Sequence, residues 1–163
     1  MTSLLKALFV GAALALGGVS AQAAGSDNVV LTISGKVANG EAVDFTLTEL
    51  EALGTSTITT SSPWEDEAIT YEGVPMAVLM QAVGATGGTV TITALNKYRT
   101  EIPVADFADH GVILASRNNG EPMPIANKGP LFVIYPFDDK PELDTEVYHA
   151  RSAWQVRSMV ISE

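Results

Sequence analysis

The side chains able to do acid–base, nucleophilic or metal chemistry are few in this sequence. It holds no cysteine and two histidines, His110 and His149. Thiolate nucleophiles, disulfides and sulfur-ligated metals are therefore excluded. His149 follows DDKPELDTEVY, close to Asp138, Asp139, Glu142, Asp144 and Glu146. Such oxygen donors can hold a hard cation, but the run lacks the alternating D-x-D-x-D-G register of a calcium loop. It reads as solvated acidic surface, and no metal is assigned to it. His110, beside Asp106 and Asp109, reads as a helix end. No serine has a nucleophile-elbow context, which argues against a hydrolase triad.

What remains is a set of aromatic and basic residues on separate segments: Trp64, Tyr71, Tyr98, Arg99, Arg151 and Trp154. Brought together, rings and guanidinium groups suit a concave site for a small anionic or planar ligand. Trp154 and Tyr135 read as core residues. Trp64, Arg99 and Arg151 stay open between packing and binding, since aromatics and charges on loops often serve binding.

The segment VILASRNNGEPMPIANKGPLFVIYP, residues 112–136, raises a related question. Two apolar runs flank a loop that carries Arg117, Asn118, Asn119, Glu121 and Lys128. Pro122, Pro124 and Pro130 stiffen it, while Gly120 and Gly129 would let backbone approach a ligand closely. Taken singly, such residues more often just turn the chain.

The elements that must position these groups can be read in order. The sequence has 163 residues, the size of one domain. Residues 1–23 have the build of a secretory signal peptide: Lys6, an apolar run to Leu16, then Ala21-Gln22-Ala23. The run is broken by Gly17 and Gly18 and falls short of the ~20 residues of a spanning helix. Cleavage after Ala23 leaves a single domain, 24–163, in the periplasm or secreted, with no membrane insertion. The formal net charge is −10, which argues against nucleic acid and anionic membranes as partners.

NVVLTISGKVANGEAVDFTL reads as a hairpin turning at Asn39-Gly40. TLTELEALG reads as a short helix, with capping-box spacing from Thr48 to Glu51 and a stop at Gly54. STITT is a strand running into a loop, SSPWEDEA. Pro75 suits the first turn of a helix in which Met76, Leu79, Met80 and Val83 share a face before Gly84. TVTITAL and KYRTEIP are strands, VADFADHG a helical turn, VILA and LFVIYP buried strands. FDDKPELDTEVYHARSA reads as a long surface connection and WQVRSMVIS as a closing strand. The order of elements gives a compact, β-rich α+β domain.

Three segments together resemble one family, the oxidoreductase molybdopterin-binding domain that forms the catalytic fold of sulfite oxidase. YEGVPMAVLMQAVG is similar to its Y/W-x-GVPL-x-x-LL-x-x-x-G signature. ILASRNNGEPMPIANKGPLFVIYP is similar to its LLA-x-x-x-NGEPLP-x-x-x-GGPLRLVVP segment, and RSAWQVRSMVI to its closing basic-x-x-W strand. Short Gly/Pro patterns recur by chance, so the order and spacing of all three carry the resemblance, from about Asp44 to Ile161. It implies a β-rich mixed fold in which the 112–136 loop helps wall the pterin groove.

The departures bear on function. The family's metal-binding cysteine would fall near Thr60 and Ser61, and a protonated hydroxyl is a poor substitute for thiolate toward a soft metal. Where the family places a basic residue to meet the cofactor phosphate, this chain has Phe132, with Lys128 across the turn; Arg151 keeps the late basic position. The leader lacks the Arg pair of a twin-arginine signal, so the chain would be threaded unfolded and arrive without the group. No cofactor is therefore expected, molybdopterin included. The candidates for a ligand groove are Thr60, Ser61, Trp64, Tyr98, Arg99, Asn118, Asn119, Lys128 and Arg151. The first reading is an exported, non-catalytic module that binds a small ligand or a partner protein and feeds a membrane sensor. Its rivals are a divergent oxidoreductase whose redox centre needs no cysteine, and a docking protein that uses the acidic loop 138–146.

Overall fold

Alternating burial along short strands builds the first sheet of the computed structural model, which describes residues 28–163. The leader, 1–23, lies outside the described residues. In β1 (Val29–Gly35) Leu31 and Ile33 face inward. Strand β2 (Val43–Thr46) pairs with it antiparallel, as the hairpin pattern predicts, although the positive φ falls on Gly40 alone. Helix α1 (Leu47–Ala52) follows directly, and its capping box joins Thr46 to Glu49, two residues earlier than the predicted pair. Thr46 still has extended backbone, which a cap requires and Thr48, already helical, does not offer.

The predicted loop SSPWEDEA is instead a hairpin. Strand β3 (Ser56–Ser62) pairs antiparallel with β4 (Glu65–Pro75), and Pro63 and Trp64 form the turn. The serines, threonines and carboxylates here occupy the exposed edge of a sheet, where polarity is tolerated and masks the strand. Pro75 closes β4 and caps α2 (Met76–Ala82), which buries Met76, Leu79 and Met80 and stops before Gly84 at φ +60°. Next come β5 (Thr89–Ala94), β6 (Arg99–Pro103) and α3 (Ala105–His110). Strands β7 (Ile113–Asn118), β8 (Glu121–Pro122) and β9 (Phe132–Ile134) complete the second sheet. The expected long connection holds a 3-10 turn at Pro141–Leu143 and a helix, α4 (Glu146–Arg151), with Leu143 anchoring the turn in the core. Strand β10 (Val156–Ser162) ends the chain.

The first sheet runs β2-β1-β10-β5-β6, with β1 and β10 parallel (Ile33 opposite Met159) and the other pairs antiparallel. The second runs β3-β4-β7-β8, with β9 also on β7. The β-rich α+β class predicted from the sequence holds. Its apolar runs VILA and LFVI are continuous because β7 and β9, unlike the β3–β4 edge, are buried on both faces. Leu114 and Val133 join the main core with Leu31, Ile92 and Met159. Their neighbours Ile113, Ala115, Phe132 and Ile134 point the other way, into a smaller cluster with Tyr71 and Met123. Trp64 and Trp154 pack against that smaller cluster.

Gly73 of the YEGVP stretch lies where β4 slips register against β7. A Cβ there would come 2.0 Å from the Leu114 carbonyl oxygen, so only glycine lets the two backbones meet.

Candidate functional site

Four rings from three segments of the chain line an apolar cleft of about 280 Å³. The tight turn between β3 and β4 carries Trp64. Trp154 sits just before β10, held by a bridge to Phe132 and followed by Gln155 at φ +53°, which separates it from the strand proper. The two indoles meet edge to face, centroids 5.4 Å apart and planes at 77°. Tyr98, from the turn between β5 and β6, is 43% exposed; its hydroxyl donates to the Ala150 carbonyl at 2.7 Å. His149 of α4 stands edge-on to Trp64 at 5.8 Å and hydrogen bonds Asp144 through Nε2 at 2.7 Å. Asn96, Ala150, Ser152 and Ala153 fill the gaps.

Helix α4 has no buried residue of its own and is too short to stand by itself. A polar clamp fixes it. Arg151 Nη1 donates to Asp106 Oδ2 at 2.8 Å, and the Tyr135 hydroxyl donates to the same oxygen at 2.9 Å. The Arg151 guanidinium also lies 5.3 Å over the Tyr148 ring. Burial pushes the Tyr135 phenol far above its ordinary range, with the Asp106 charge adding to it, so Tyr135 remains a donor. Arg151 therefore serves the cleft by holding its wall.

A second, polar cleft of about 470 Å³ lies beside the first, lined by Ser61, Ser62, Pro63, Phe137, Asp138, Pro141 and Asp144. The His149–Asp144 pair joins the two, since His149 lines one and Asp144 the other. Thr60, 1% exposed, donates to the Ser61 carbonyl at 3.1 Å and accepts the Asp138 N–H at 3.1 Å. Ser61 donates its N–H to Asp138 Oδ2 at 2.9 Å and its hydroxyl to the other carboxylate oxygen. Both hydroxyls are thus engaged within the chain.

The remaining sequence candidates are not brought to the aromatic cleft. Arg99 lines a separate groove with Thr91, Thr100 and Glu101. Asn118 sits in the β7–β8 ladder opposite Glu121. Asn119, at φ +46°, exchanges two hydrogen bonds with the Thr70 backbone. Lys128 pairs with Glu65. The glycines of the 112–136 loop serve the chain's own path. Gly120 turns it at φ +85°, and a Cβ on Gly129 would meet the Met123 carbonyl oxygen at 1.9 Å. Proximity to backbone, not to a ligand, explains Gly129. Of the nine candidates, Trp64 and Tyr98 line the aromatic cleft, Ser61 lines the polar one, Thr60 is tied to that corner, and Arg151 braces α4. Sequence reasoning assigned Trp154 to the core and His149 to the acidic surface. Both line the cleft, and no spacing rule signals it, because separate segments meet there through topology alone.

The profile of the oxidoreductase molybdopterin binding domain matches residues 18–137, and the chain belongs to that family. Among solved structures, the sulfane dehydrogenase SoxCD from Paracoccus pantotrophus is similar, with a TM-score of 0.62 at 20% identity. The likeness covers 83% of this chain and 38% of that one, and it shows the shared fold. The chain thus spans well under half the length of that protein. No curated protein matches.

The residues present do not fit a molybdenum–pterin group. The corner where the family's thiolate would stand holds two hydroxyls, that of Ser61 on the Asp138 carboxylate and that of Thr60 on the Asp138 N–H and the Ser61 carbonyl, and the carboxylate repels an anionic, phosphate-bearing group. The two basic residues at or beside the family's phosphate-meeting positions, Lys128 and Arg151, are already paired with Glu65 and Asp106. Binding a phosphate there would first require breaking those pairs. Tyr71, the other buried phenol, is pushed up to about 12 by burial and then by the Glu65 charge, so it supplies no acid–base group near neutral pH.

Proposed function

We propose that this chain is a non-catalytic member of the molybdopterin-fold family, an exported module that binds a small ligand in its aromatic cleft. One observation carries the reading: Asp138 holds Thr60 and Ser61 at the corner where the family's chemistry would need a free thiolate. The aromatic cleft has the opposite character. Its walls are ring faces and edges with few polar atoms, and the clamp on α4 keeps it in shape. A concave, preformed, largely apolar site with a few polar groups is the usual form of a ligand pocket. The volume, just under the ~300–1,000 Å³ of drug-sized sites, suits a small molecule.

Export rests on the leader's pattern; no helix among the described residues is long and apolar enough to cross a membrane. The test is elemental and pterin analysis of the protein from its host's exported fraction. Background levels of molybdenum, tungsten, iron and zinc, with no oxidised pterin fluorescence, are expected. Near-stoichiometric molybdenum with pterin would sink the reading and make Thr60 and Ser61 the ligands to mutate.

A further inference from the structure

We infer that the aromatic cleft takes a small organic cation, a quaternary or alkylated ammonium group, an inference that rests on the ligand-binding reading above. The rings set the chemistry. An aromatic face carries negative charge density, indole most of all, and several faces converging on one space attract a cation that has lost part of its water. Trp64 and Trp154, set at 77° to one another, line the cleft together with Tyr98 and His149.

Charge agrees with geometry. No lysine or arginine lines the cleft. Arg151, next in sequence to the lining Ala150 and Ser152, is bonded to Asp106, and Arg99 lines a different groove. An anion entering here would be desolvated with no cation in the lining to meet it. His149, which lines the cleft, has its Nε2 on the Asp144 carboxylate. The chain's net charge of −10 draws cations toward the protein and repels anions. A neutral planar ligand would gain from the same walls but nothing from this field.

The chain has two tryptophans, and both line this cleft, so intrinsic fluorescence reports on it directly. The experiment titrates the full-length protein at pH 8 with choline and, separately, with its uncharged isostere 3,3-dimethyl-1-butanol. Choline is expected to change the tryptophan emission saturably, and the neutral alcohol to bind roughly tenfold more weakly or worse. Tyr98→Leu, at a partly exposed position, is expected to weaken choline binding roughly threefold to tenfold by calorimetry with the fold intact. Trp64→Phe, which keeps a ring, should weaken it less than Trp64→Leu. Equal binding of the two probes would overturn the cation inference while leaving a ligand-binding cleft. No binding of choline at all would also overturn it. Failure of the underlying reading shows elsewhere, as molybdenum and pterin in the native protein.

Discussion

The two clefts share a border at His149 and Asp144, yet they differ in what their side chains leave unsatisfied. In the polar cleft the Ser61 hydroxyl is taken by the Asp138 carboxylate and the Thr60 hydroxyl by the Asp138 N–H and the Ser61 carbonyl, so an incoming group must displace bonds within the chain to reach either. In the aromatic cleft the rings are held from behind, by Phe132, by the Ala150 carbonyl and by the Asp106 clamp, and their inner surfaces stay open. Within one inherited fold, the corner suited to metal chemistry is closed by internal hydrogen bonds. The neighbouring wall of rings is braced from outside and its lining is largely apolar, which suits the binding role proposed above. Preorganisation of this kind lowers the cost of binding.

The comparison breaks completely if its common base is removed. Gly73→Ala forces a Cβ into the Leu114 carbonyl where β4 meets β7, the ladder on which both clefts stand. A loss of about 3 kcal/mol or more is expected, or failure to fold, read by chemical denaturation and expression yield.

Asp106→Ala separates the two regions. It strips Arg151 and Tyr135 of their shared partner and frees α4, at a cost of about 2–3 kcal/mol. Binding in the aromatic cleft should fall sharply while the Ser61–Asp138 contact survives. Retained ligand affinity in a destabilised variant would show that α4 does not form the cleft wall.

Asp138→Ala acts on the polar side alone. Asp138 is exposed, so the loss should be about 0.5–1.5 kcal/mol, with ligand affinity in the aromatic cleft unchanged. A tenfold change in that affinity would mean the two clefts work as one site.

The smallest effect belongs to a pair remote from both. Arg117 grips Glu51 through Nε at 3.0 Å and Nη2 at 3.2 Å, and this hydrogen bonding holds the Glu51 carboxyl below its ordinary 4.5. A carboxyl whose pKa is lower in the folded state contributes stability above its unfolded value and loses it as pH falls through the folded one. The melting temperatures of the wild type and Glu51→Gln should differ by a few degrees or less at pH 7. They should converge as pH drops below about 4.5.

Much of this fold is legible in the sequence because its strands and α2 announce themselves by period. Leu31 and Ile33 alternate, and Met76, Leu79 and Met80 recur at helical spacing. The β3–β4 hairpin hides because its residues lie at a polar edge, where the chain needs no apolar alternation. Helix α4 hides because tertiary contacts of Arg151 and Tyr148, not an apolar stripe, hold it. The site was harder still. Trp64, read on a loop, and Tyr98, read at the start of a strand, are ring-bearing candidates in the sequence. Trp154 is not, because a tryptophan beside a buried strand reads as core whichever side its ring shows. The loop glycines are ambiguous in sequence, since a close approach of backbone to backbone leaves the same mark as a close approach to a ligand; the plainer reading, that they turn the chain, is the one that holds.

The central claim is that the side chains themselves exclude the family's cofactor. It is tested most directly by producing residues 24–163 in the cytoplasm of a host that makes molybdopterin, which removes export as an explanation, and counting molybdenum per chain. Background molybdenum in the folded protein is the predicted result. Close to one molybdenum with pterin per chain would contradict the account, because the Thr60–Ser61–Asp138 corner would then have opened to receive it.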